Sequence, residues 1–362
     1  YRIQVSSEPD FSHIVWDTGP VKSAQSIHVP YDGPPLQPRT RYYFRVRVRD
    51  NGDNDSGWSG ISFWETGLLG PAAWKAGWIK AAMDGKSVKE ACPMLRKAFV
   101  AKGRVRSARI YATALGLYEL HLNGDRVGDR LFTPGWTNYR KRLQYQTYDV
   151  TDRLKPGANV IGAVLGKGWF SGNLVWKDKR DIYGDSRALL LQMHILYEDG
   201  GEELILSDKE WKWAEGPIRM SEIYHGEAYD ARLEKEGWSL PEYNASGWGA
   251  AEVLDYPKSM LTAQENEPVR IIQQINPIAL IKTPAGETVV DFGQNMTGWV
   301  RFSVTGAAGT AVTLKHAEVL DSRGNFYTEN LRNAKQTVTY ILKGEGLERF
   351  EPRFTFQGFR EG

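Results

Sequence analysis

Cysteine is nearly missing from this 362-residue chain, with Cys92 standing alone, so no disulfide can form within it and no cysteine cluster can hold zinc. No charge of one sign prevails either. Lys and Arg number 46 and Asp and Glu 44, a net charge of +2, which gives no pull toward nucleic acid or an acidic membrane. Long apolar runs are absent, with nothing near the roughly 20 residues a membrane-spanning helix needs. The first residues carry no signal-peptide pattern, so the expectation is a cytoplasmic protein without membrane or nucleic-acid partners. Histidines 13, 28, 121, 194, 225 and 316 never fall in an HxH or HExxH spacing, which argues against catalytic zinc. Phosphate-cradling loops of the GxGxxG or GxxxxGKS/T type are missing too. Helical periodicity is the last absence.

What the chain has is aromatics and short alternating runs. Its 13 Trp, 17 Tyr and 13 Phe stand beside 37 Gly, a composition suited to sandwich cores and flat sugar-binding faces. From Tyr42 to Val48 apolar side chains alternate with Arg45 and Arg47, the period of two of a half-buried antiparallel strand. Arg109–Leu115 and Tyr118–Leu122 repeat the pattern, and Asn123-Gly124 supplies the positive-φ pair that closes a tight hairpin. Further runs lie at 188–195, 203–206, 299–304, 311–315 and 337–342. The fold class is all-β, as tandem β-sandwiches. Three blocks are predicted: 1–69, 70–262 and 263–362, the last entered through the polar joint Gln264–Pro268. One alternative stays open, in which 105–232 is an insertion and the strands flanking it belong with the last block.

Several side chains suggest chemistry, each beside a structural reading. Trp136, Asn138, Tyr139 and Arg140 share one predicted loop. An aromatic face can stack on the C–H groups of a pyranose while polar neighbours bond its hydroxyls; equally, Trp136 and Tyr139 can be core. Glu227 and Asp230 bracket Tyr229 and precede Arg232, and could contact a sugar or form a buried ion pair. Asp291-Phe292-Gly293 reads as an Asx-type turn.

The first block resembles a fibronectin type III module. Leu36 leading into Thr40–Arg47 matches its tyrosine corner, and the opening Tyr1–Val5 reads as an interior strand, implying an N-terminally truncated module. The rest resembles the N-terminal β-sandwiches of bacterial α-L-rhamnosidases of the glycoside hydrolase family 78 type. The likeness runs through Ala108–Glu119, Leu122–Gly128, Pro134–Arg142, Tyr145–Thr151 and Gly166–Phe170, then Tyr224–Arg232, Asp291–Trp299, His316–Leu320, Asn330–Ala334 and Glu351–Arg360. It implies galactose-binding-like or jelly-roll sandwiches. It also implies a parent enzyme that removes terminal L-rhamnose from glycosides or polysaccharides by inversion. The paired carboxylates of that chemistry would sit in a following (α/α)-barrel, the partner of these domains, so this chain is expected to be inactive alone. Glu361-Gly362 reads as a cloning junction.

The resemblance implies no required cofactor, although in some relatives the middle sandwich grips rhamnose through calcium. That use would fall here on Asn138 and Asp185, and it would place Asp185 beside Trp136, Tyr139 and Arg140 at the sugar. An acidic residue is usual where Asn138 stands, and its loss removes charge that calcium favours. Another family departure is Val338, where an acidic residue is common. The alternative reading is a stand-alone carbohydrate-binding or adhesion protein, and a third is a scaffold whose Trp are all core.

Overall fold

The structure, a computed structural model, describes residues 1–84, 87–174 and 176–362 and is built almost wholly of strands. Among the described residues the α-helix is a single turn, Gly168–Ser171. The chain divides into two compact units, Tyr1–Trp74 and Lys75–Gly362.

In the first unit Arg2–Ser6 lies between Ile14–Asp17 and Arg41–Arg49, and the last of these also pairs with Asp55–Trp58 and Ser62–Glu65. On the arginine face of Arg41–Arg49 the two end residues, Arg41 and Arg49, are exposed, while the central Arg45 is covered. The Arg45 guanidinium sits 4.2 Å from the Phe11 ring centre and 4.5 Å from that of Trp58, a cation–π sandwich that lets a charged row pack. The tyrosine corner forms: the buried Tyr42 hydroxyl accepts the Gln37 N–H at 2.9 Å. Tyr42→Phe should therefore cost about 1 kcal/mol and speed exchange of the Gln37 amide. Urea unfolding combined with hydrogen exchange checks this; an unchanged Gln37 rate would show the bond idle.

The second unit opens with two layers around one core. One layer runs 125–126, 117–122, 157–166, 93–101 and 212–215; the other holds 202–206, 188–197, 105–115, 143–149 and 261–263; strands 78–81 and 249–254 join them. Ile79, Leu95, Ile110, Leu120, Ile161, Leu189 and Trp211 fill the space between. The predicted alternation in 109–115 is exceeded, since from Ile110 onward every residue of Val105–Leu115 is buried. Rings of Tyr145 and His194 against Tyr111 cover its second face. Asn123 and Gly124, at φ 53° and 94°, turn the hairpin between 117–122 and 125–126.

Strands on both sides of 105–232 lie in these same layers. What leaves them is Ile218–Glu222 and Gly226–Asp230, which form a sheet with Thr337–Ile341 and Ala311–Lys315. Gly226–Asp230 runs parallel to Thr337–Ile341, with Glu227 opposite Val338. Ala279–Lys282, Thr288–Gly298 and Gln357–Glu361 make a further sheet. There Asp291 accepts the Gly293 N–H at 2.7 Å, giving the Asx turn, and receives both Arg360 nitrogens at 3.0 Å.

Candidate functional site

The segment 132–142 is pinned from below by Tyr139. Its ring is buried against Phe170 and Tyr183, and its hydroxyl donates to the Gly135 carbonyl at 2.6 Å. Burial drives the Tyr139 hydroxyl pKa well upward, so it serves only as a neutral donor. The Asn138 carbonyl accepts the N–H groups of Lys141 and Arg142, both at 2.8 Å, closing a tight turn that leaves the Asn138 side chain exposed. Arg140 donates to the Ile182 carbonyl at 2.7 Å and lies over the Tyr183 ring, tying this loop to 182–183.

With Tyr139 in the core, Trp136 is held outward, 51% exposed. It stacks on Trp169 with ring centres 5.9 Å apart and planes 5° from parallel. Trp169, 9% exposed, is set on the helical turn by Gly168. At φ +54° a Cβ on Gly168 would come within 2.5 Å of Leu117 Cγ, so only glycine lets the turn approach the strand. Phe356 backs Trp169 with ring centres 6.4 Å apart. The result is a supported indole face with an amide and a guanidinium on its own loop, a surface able to stack a sugar ring and bond its hydroxyls. Sequence reasoning passed over Trp169, because a Gly-Trp-Phe run between strands reads locally as a turn.

The other expected site residues lie elsewhere. Asp185 is exposed, accepts the Ser186 hydroxyl at 3.1 Å, and lines a cleft of about 390 Å³ whose walls include none of residues 136–140. Glu227 and Asp230 are three residues apart on one strand and so point to opposite faces. Glu227 is wholly buried, and its oxygens accept the N–H groups of Arg353 at 3.1 Å and Phe354 at 3.0 Å. Burial pushes its pKa up to about 7 against the pull of those bonds. Asp230 takes a forked ion pair from Arg232 at 2.9 and 2.8 Å and caps its N–H; these bonds hold the carboxyl below its ordinary value. Both carboxylates thus have structural partners.

Calcium requires six to eight oxygens. Among the described residues no three His, Cys, Asp or Glu side chains gather to hold a metal, and Asn138 Oδ1 already accepts the Arg140 N–H at 3.3 Å. One amide and one carboxylate do not make a calcium cage.

Fold and site together define a class: tandem β-sandwich modules presenting a supported aromatic platform. Comparison with known families places each module. Residues 1–70 match the Rha78A-like N-terminal immunoglobulin domain, 103–273 the α-L-rhamnosidase N-terminal domain, and 281–360 the bacterial α-L-rhamnosidase concanavalin-like domain. An α-L-rhamnosidase of Streptomyces avermitilis is 34% identical across 99% of this chain and 51% of its own length, and one from Formosa agariphila is 35% identical across 99% and 40%. The crystal structure of the Streptomyces avermitilis enzyme complexed with L-rhamnose superposes with a TM-score of 0.91 at 32% identity, covering 99% of this chain and 51% of that one. That of the native enzyme from Aspergillus terreus gives 0.91 at 39% identity, covering 99% and 42%. The chain belongs to the α-L-rhamnosidase family and carries its N-terminal β domains. It spans about half, or less, of the length of these relatives.

Proposed function

We propose that this chain is the sugar-holding β portion of an α-L-rhamnosidase, and that the Trp136 face receives a terminal 6-deoxy sugar, L-rhamnose. The observation that carries the reading is the half-exposed indole of Trp136 laid flat on Trp169. Exposing so large an apolar ring has a cost that stacking on a sugar would offset. Such an open site buries little area, so binding should be weak, on the order of 0.1–1 mM or ~4–5 kcal/mol. In calorimetry with L-rhamnose, Trp136→Ala should weaken binding at least about tenfold; binding unchanged by that substitution would remove the platform from the account. A chelator arm tests calcium separately, and heat unaffected by chelation would assign the grip to protein groups alone.

For the whole protein we propose release of L-rhamnose by inversion, with substrates among rhamnose-bearing glycosides or polysaccharides. We assign the acid and base to the part of the relatives' length that this chain does not span. The chain by itself should leave p-nitrophenyl α-L-rhamnoside intact. Turnover that disappears in Glu227→Gln would contradict that assignment.

A further inference from the structure

We infer that Phe356 is a positioning residue for the indole platform: its ring sets the stack of Trp136 on Trp169 from outside both elements that carry those indoles. The inference rests on the sugar-holding role proposed above, and it makes the platform a composite of the modules at 103–273 and 281–360.

The two indoles reach each other from different elements. Trp136 is carried by the segment 132–142 and Trp169 by the turn Gly168–Ser171. A stack with planes 5° from parallel needs both carriers held at a set spacing. Phe356 touches each of them. Its ring centre is 6.4 Å from that of Trp169 at 51°, and 5.3 Å from that of Phe132 at 66°, the inclined contacts that aromatic pairs favour. Phe132 opens the loop and is buried at φ 53°. A bulky side chain adopts that left-handed conformation only where packing holds it there. Trp299 packs on Phe132 as well, with ring centres 6.0 Å apart. Phe356 and Trp299 both lie in 281–360, so that module grips the base of the loop.

Phe356 is itself fixed by its neighbours in the chain. The Phe354 N–H donates to Glu227 at 3.0 Å, and the wholly buried Thr355 hydroxyl donates to the Ile223 carbonyl at 2.8 Å. Gln357 pairs with Gly298 in the next strand. Phe354 lies so close to Gly166 that a Cβ there would stand 2.6 Å from its ring. With the residues around it tied down, the half-buried Phe356 ring is a fixed wedge. It sets the depth at which Trp169 sits, and with it the height of the Trp136 face. Removing the ring leaves a space into which Trp169 can settle, since a packed structure relaxes in part around a gap.

The test compares Phe356→Ala and Phe356→Tyr with Phe302→Ala, a control for general loosening, each in the whole chain. Phe302 is likewise half-buried, on Tyr340 and Phe350 of the same module. The readouts are the indole N–H resonances of Trp136 and Trp169, which each stacked ring shifts for the other, and the affinity for L-rhamnose by calorimetry. Phe356→Ala is expected to move both resonances and to weaken binding at least about fivefold. Phe356→Tyr should restore both, and Phe302→Ala should change neither. Phe356→Leu, which keeps bulk without a ring, gives the same comparison should the alanine chain not fold. Resonances that stay still in Phe356→Ala, or an affinity equal to that of the unsubstituted chain, would overturn the inference, as would equal effects from Phe302→Ala. If the unsubstituted chain fails to bind L-rhamnose, the sugar-holding role falls, and the resonances alone then decide whether Phe356 sets the stack.

Discussion

Replacing Gly226 with alanine is expected to destabilise the second unit by about 4 kcal/mol or more. Gly226 opens the strand that runs parallel to Thr337–Ile341, at φ +115°. Side-chain-bearing residues rarely adopt that conformation, at a strain of about 1–3 kcal/mol. The larger effect is steric. A Cβ there would stand 1.8 Å from the Thr337 carbonyl oxygen, and backbone cannot swing aside as a flexible side chain can. The two strands must part at the ladder's first rung, where the Thr337 N–H bonds to the His225 carbonyl at 2.9 Å. Urea unfolding should show a lower midpoint, with amides of 337–341 losing exchange protection before those of the Trp211 core. A midpoint equal to that of the unsubstituted chain would mean this junction is not the tight contact described.

Glu227 should make stability pH-dependent in an unusual direction for a carboxylate. Burial is the main cause of its raised pKa, and Arg353 and the Phe354 amide oppose it; Glu119 adds like charge, and the buried Cys92 thiol feels the Glu227 charge in turn. Because the native state holds the proton more tightly than the unfolded chain, the contribution is fully present below the ordinary value of 4.5 and is lost as pH rises through about 7. At about 1.4 kcal/mol per unit, the total is on the order of 3 kcal/mol. Glu227→Gln should flatten the slope between those limits while keeping one acceptor for the Arg353 and Phe354 amides. Glu227→Ala strands both amides and should cost about 2–4 kcal/mol. Chemical denaturation at several pH values decides; a slope that persists in Glu227→Gln assigns the dependence to another group.

Local features were legible in the sequence where local rules govern them. Period-two runs gave most strands, Asn123-Gly124 gave its turn, Leu36 and Tyr42 gave the corner, and Asp291-Phe292-Gly293 its Asx turn. The parallel pairing of 226–230 with 337–341 was not legible, because nothing in either run encodes a partner more than 100 residues away. Trp136 and Tyr139 present the same local cue, an aromatic among polar neighbours, yet one faces out and the other anchors the loop. Only the contacts with Phe170, Tyr183 and Trp169 separate them. The same holds for Asp185, which the resemblance set beside Trp136 and the fold places on another cleft. Glu227 looked like half of an ion pair; its partners are backbone amides, which no side-chain pattern announces.

The measurement closest to the central claim is the indole N–H resonance of Trp136, assigned by its loss in Trp136→Phe and followed through a titration with L-rhamnose. A saturable shift of that resonance is expected, with the indoles of Trp16 and Trp64 in the first unit unmoved. A Trp136 resonance that stays still at saturating rhamnose would contradict the sugar-holding platform.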